Sequence, residues 1–171
     1  IRDSAKRANS RGVGIGVAER FRAAGYTICL CPGSDPGLPI ASDNAKLVDA
    51  SLLVTIGGDG TLLRAARLVI NDAIPLLGIN TGRLGFLTEF DEDDPRIDRL
   101  PELLARGLEI EERIALQASY DGKTFFALND VVVRKGDISR IVPFGLGLNQ
   151  EQAAHVPADG ICVATPTGST A

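Results

Sequence analysis

Val13, Val17 and Phe21 recur every four positions, the spacing of one helical face. That stripe predicts a helix over residues 3–25, with Gly25 as its stop. Gly12, Gly14 and Gly16 work against it, since each glycine in a helix interior costs about 1 kcal/mol relative to Ala. Their G-x-G-x-G spacing, with no strand before it, is not a dinucleotide-binding fingerprint. Tyr26–Leu30 reads as a strand, Pro32–Pro39 as a loop and residues 41–50 as a short helix. Leu52–Ile56, apolar and rich in β-branched side chains, reads as a buried strand. A glycine turn and a helix over Thr61–Leu68 follow it, and Pro75–Ile79 is another apolar strand. Helices alternating with short apolar strands predict a parallel sheet covered on both faces. A strand would normally precede the opening helix, and none is found, so the N-terminus reads as clipped.

The texture changes near residue 110. A helix over 95–106 stops at Gly107. Beyond it, Ile114–Tyr120, Thr124–Leu128, Val131–Val133 and residues 160–164 read as strands, with Asp121-Gly122 as a hairpin turn. The expected organisation is an α/β domain over 1–110 and a mostly β domain over 111–171.

Composition narrows the function. The 171 residues are 44% hydrophobic, enough for a core. A net charge of −4 does not suggest a nucleic-acid or anionic-membrane partner. No apolar run approaches the length of a membrane span, and no secretory n-region precedes an apolar stretch, so a cytoplasmic location is expected. Cys29, Cys31 and Cys162 are an odd number and read as buried thiols. His155 is the only histidine and reads as a surface loop residue, which leaves no His-based triad or zinc site.

The strongest chemical signal is Gly57-Gly58-Asp59-Gly60-Thr61, between a strand and a helix. Such a turn brings bare backbone N–H groups to a phosphate-bearing ligand. Asp59 repels phosphate, and no Gly-Lys-Ser/Thr follows, so this is not a P-loop. A carboxylate held there can accept a hydroxyl proton, as phosphoryl transfer to an alcohol requires. It can also hold a metal, or simply cap a helix. Asn80–Leu87 is a loop at the carboxyl end of a strand, the edge where ligands collect in open parallel sheets. Phe86 within it suits either the core or packing against a nucleoside. Asp91–Asp94 reads as a solvated loop whose carboxylates cap a helix starting at Pro95, rather than as a magnesium site. Asn129-Asp130 suits a bulge or turn, or an adenine and ribose contact. Thr165–Ala171 suits an ordinary polar loop, or hydroxyls and amides for ribose or phosphate.

Four of these stretches, in order, resemble the NAD kinase family: Gly57–Thr61 its GGDGT motif, Gly78–Leu87 its GIN-x-GRLGFL loop, Asn129-Asp130 its short N-E/D motif, and Asp159–Ala171 its DG…TPTGSTA motif. Lipid kinases of the diacylglycerol type and phosphofructokinases are similar only at GGDGT. The resemblance implies a Rossmann-like parallel-sheet domain followed by a truncated, mostly β, NAD-binding domain. It implies phosphorylation of the adenosine-ribose 2′-hydroxyl of NAD, giving NADP, with ATP or polyphosphate as donor. Asp59 would take the hydroxyl proton, and Gly58 and Gly60 would bring backbone close to the phosphates. Phe86 would line the nucleoside pocket. Asn129 and Thr167 would contact adenine, and Asp130 a ribose diol. Asp159, Thr170 and Ala171 would close the pocket, partly from a neighbouring subunit of a dimer or tetramer. Magnesium (Mg2+) would arrive with the donor phosphates, without a protein cage.

There are departures. Position 130 is Asp where many relatives resemble Glu, one methylene shorter. The family's motif continues with Tyr after Ala171, so the chain reads as a fragment, expected to be inactive alone. Two other readings are a kinase for a lipid or sugar hydroxyl and a catalytically silent nucleotide sensor. The first wants a greasy crevice or basic face, which an acidic chain does not advertise. The second would bind NAD without transferring phosphate.

Overall fold

A computed structural model describes residues 2–31, 49–72, 74–82, 85–136 and 141–170, with side chains from residue 9 onward. The chain forms two compact units, residues 1–111 and 112–171.

In the first unit, α1 (Arg2–Ala23) buries Val17 and Phe21, with Val13 partly buried on the same stripe. Gly25, at φ +90°, ends the helix, and the Tyr26 N–H donates to the Phe21 carbonyl at 3.0 Å. Strand β1 (Leu53–Ile56) pairs in parallel with β2 (Leu76–Asn80), and β2 with the short β3 (Phe90–Asp91). Between β1 and β2 runs α2 (Asp59–Val69), which buries Leu62, Ala65, Ala66 and Val69. Side chains alternate along a strand. Leu77 and Ile79 therefore share one face and join Val17, Phe21, Phe90, Ile97 and Leu100 in the core. Gly78 lies on the other face, where a Cβ would meet Leu62 of α2 at 2.8 Å. Helices thus cover both faces.

The expected strand over Tyr26–Leu30 does not form: these residues join no ladder, and Ile28 contributes by packing against the core. An apolar run satisfies burial without pairing. The loop read over Pro32–Pro39 and nearly all of the helix read over 41–50 lie outside the described residues. Of the three cysteines, Cys29 and Cys31 are half-buried, whereas Cys162 is exposed, contrary to the buried reading. Burial first, and Cys29 second, push the Cys31 thiol above its ordinary range.

The acidic run behaves as a cap. Asp94 accepts from the Arg96 N–H at 2.8 Å and starts the 3₁₀-helix Pro95–Arg99, which leads into α3 (Leu100–Arg106) and stops at Gly107. Side-chain and then backbone hydrogen bonds from Arg96 hold the Asp94 carboxyl below its ordinary range. A lowered native value stabilises above the unfolded one, near pH 4, and the benefit is lost as pH falls through the native value. Asp94→Ala should therefore lower Tm at pH 7, with the difference closing below about pH 4 in melts across pH.

The second unit is built from antiparallel pairs. Strand β4 (Leu116–Tyr120) pairs with β5 (Lys123–Ala127) across Asp121-Gly122, both at positive φ, the geometry of a two-residue hairpin. Strand β6 (Asp130–Arg134) pairs with β9 (Gly160–Ala164). A second hairpin, β7 (Val142–Leu148) with β8 (Glu151–Ala158), turns on Asn149-Gln150, again both at positive φ. His155 is exposed, but on β8 rather than in a loop.

Candidate active site

The first cluster lies at the carboxyl end of β1. Gly57 adopts φ +149°, a conformation closed to most L side chains, and its N–H donates to the Ile79 carbonyl at 2.9 Å. A Cβ there would meet the Thr61 hydroxyl at 2.5 Å. The chain then enters α2, whose N-cap is Gly58 and whose first residue is Asp59. Asp59 is therefore inside the helix and not its cap. Its carboxylate reaches the Asn80–Leu87 loop instead: Oδ2 accepts from the Phe86 N–H at 2.9 Å and Oδ1 from the Leu87 N–H at 3.1 Å. Gly85 permits this approach, since a Cβ would sit 2.7 Å from Asp59 Oδ1 and collide with the Thr88 hydroxyl. The loop is fixed at its base by Asn80, which donates to Asp91 at 2.9 Å and accepts from the Gly82 N–H at 3.2 Å.

Gly58, Gly60, Thr61 and Arg64 line an open depression of about 370 Å³. A Cβ on Gly58 or Gly60 would meet nothing within 4 Å, so bare backbone faces open space there. The sequence reading missed Arg64. Its signal was spacing, because a residue four after Gly60 shares that face once α2 begins at Asp59. Phe86 is not core: it is 80% exposed. With its N–H turned in toward Asp59, its ring projects outward.

The second cluster lies at one end of the β6–β9 ladder. Asn129 precedes β6, Thr165 follows β9, and the Thr165 N–H donates to the Asn129 carbonyl at 2.8 Å. The turn continues through Thr167 into the 3₁₀ turn Gly168–Thr170. A Cβ on Gly168 would collide with the Asn129 backbone. The Thr167 hydroxyl accepts from Arg113 Nη1 at 3.1 Å, and the Thr170 hydroxyl donates to the Thr167 carbonyl at 3.3 Å. Asn129 Oδ1 is buried, and among the described residues no protein group donates to it. A buried acceptor in that condition fits a ligand that donates. Asp130 is exposed at the start of β6.

Asp159 is not brought to this cluster. The register pairs Asp130 with Ala164 and Arg134 with Gly160, so Asp159 lies just beyond the far end of the ladder, about 17 Å from Asp130 at strand rise. There it pairs with Lys135 at 2.5 Å. Ala171 lies outside the described residues. Among the described residues no three His, Cys, Asp or Glu side chains gather to hold a metal ion, and no helix is long and apolar enough to cross a membrane.

Comparison with known proteins decides the family. The family model for the ATP-NAD kinase N-terminal domain matches residues 41–109, and that for the ATP-NAD kinase C-terminal domain matches residues 128–171. The chain belongs to the NAD kinase family. The four sequence motifs fall within these two matches. The NAD kinase of Symbiobacterium thermophilum is 39% identical over 164 residues, covering 91% of this chain and 58% of that one. That of Heliobacterium modesticaldum is 45% identical over 133 residues, covering 74% and 46%. The chain thus spans about half the length of the curated relatives it matches. A crystal structure of yeast NADH kinase complexed with NADH aligns with a TM-score of 0.72 at 24% identity, over 95% of this chain and 55% of that one. That likeness shows a shared fold.

Proposed function

We propose that the protein is an NAD kinase, transferring a phosphoryl group from ATP or polyphosphate to the adenosine-ribose 2′-hydroxyl of NAD. The observation that carries this reading is the Asp59 carboxylate, held in a glycine turn by the Phe86 and Leu87 amides. In the step, the 2′-oxygen attacks the terminal phosphorus, the bond to the bridging oxygen of the donor breaks, and the hydroxyl proton passes to Asp59. The bare backbone at Gly58 and Gly60 admits the phosphates, and the outward Phe86 ring offers a face to the nucleoside. Asn129 Oδ1 accepts from the adenine amine, Thr167 contacts the same ring, and Thr170 helps to close the pocket. Magnesium would arrive with the donor and supply positive charge to its phosphates during transfer.

Asp130, exposed beside Asn129, accepts from the ribose hydroxyls. Asp130→Asn keeps one acceptor and loses the charge, so NAD affinity should fall about tenfold with Tm unchanged, by titration calorimetry. Unchanged affinity would take Asp130 out of the ribose site.

The test of the function is product analysis of the native protein with NAD, magnesium and each donor in turn. NADP formation with either donor supports the reading. NAD binding with neither donor consumed makes the protein a nucleotide sensor.

A further inference from the structure

Thr165 is 2% exposed, one of four buried polar residues among those described, and every polar group it has is engaged. Its N–H donates to the Asn129 carbonyl at 2.8 Å, and its carbonyl accepts from the Ser169 N–H at 2.9 Å. Its hydroxyl donates to the Leu128 carbonyl at 2.5 Å and accepts from the Gly168 N–H at 3.0 Å. One side chain therefore fastens the segment before β6 to the turn after β9. On the first stands Asn129, to whose Oδ1 no protein group donates among the described residues. On the second stand Thr167 and Thr170. Gly168 lies so close to the Asn129 backbone that a Cβ could not be placed between them.

We propose that Thr165 is a positioning residue: its hydroxyl fixes Asn129 and the Thr167–Thr170 turn in register, so that the site meets the adenine ring already formed. This rests on the proposed function. A buried hydroxyl that donates and accepts at once has no substitute in an isosteric apolar side chain. Valine there would strand the Leu128 carbonyl and the Gly168 N–H. A stiff, β-branched residue also holds its hydroxyl in few rotamers. Ordering the site before the ligand arrives removes a penalty that binding would otherwise carry.

The test is NAD titration of wild type, Thr165→Val and Thr165→Ser, with kinetics and melts alongside. A control, Ile97→Val, trims a buried core residue in the other unit. Thr165→Val should weaken NAD binding about tenfold or more and raise KM for NAD, with a smaller change in kcat at saturation. Thr165→Ser, which keeps the hydroxyl, should recover most of the affinity. Ile97→Val should lower Tm without moving NAD affinity. If Thr165→Val does not fold, Thr165→Ser against Thr165→Ala carries the same comparison, with serine binding the tighter. Equal affinity with and without the hydroxyl overturns the proposal. So does loss of affinity in proportion to loss of Tm across all variants, control included. Failure of wild type to bind NAD removes the proposed function, and this inference with it.

Discussion

Asp59→Asn should lower kcat by about 10²–10⁴-fold while leaving NAD affinity close to wild type, because general-base contributions are of that size. Asn keeps an oxygen for one of the two loop amides, but its NH2 group faces the other N–H. It also cannot take a proton. The loss should therefore fall on turnover and not on binding. Steady-state kinetics at saturating NAD, with separate NAD titration, resolve the two. Near-wild-type turnover would remove Asp59 as the base and leave it as a clasp for the Asn80–Leu87 loop. Equal losses in turnover and binding would mean that the clasp, and not proton transfer, is its main contribution.

The second large effect has opposite signs for stability and binding. Among the described residues no protein group donates to the buried Asn129 Oδ1. Leaving a buried acceptor unmade costs about 1–3 kcal/mol, so Asn129→Ala should hold or raise Tm. The same change removes the acceptor for the adenine amine, so NAD should bind about 10–100-fold more weakly. Thermal melts and calorimetry on one variant check both. A large drop in Tm with unchanged NAD affinity would make Asn129 a structural residue of the turn.

Much of this was legible in the sequence, for physical reasons that differ by site. A buried strand, a residue only glycine tolerates and an amphipathic helix are all local, and Leu52–Leu68 shows each of them. The Asp121-Gly122 hairpin and the Asp94-Pro95 helix start are local in the same way. The partners of Asp59 were not legible, since they are backbone amides 27 and 28 residues downstream. Phe86 was ambiguous because aromatic rings are usually buried; only the inward turn of its N–H leaves the ring exposed. The β7–β8 hairpin carries Pro143, Gly145, Gly147 and Pro157, all strand breakers, and most of its side chains on either face are exposed. No alternation of apolar and polar residues marks such strands. Asp159 shares a motif with Thr167 and Thr170 in sequence, yet the length of β9 separates them. Thr165 carried no signal of its own beyond a local turn, because its hydrogen bonds to the Leu128 and Asn129 carbonyls depend on tertiary placement.

The central claim is transfer of phosphate to one hydroxyl of NAD. Phosphorus NMR of the reaction of the native protein with NAD, magnesium and donor tests it most directly. A new phosphomonoester is expected on the adenosine-ribose 2′-oxygen, absent when the adenosine ribose of NAD lacks its 2′-hydroxyl. A phosphomonoester on any other hydroxyl, or bound NAD with no phosphomonoester from either donor, would contradict it.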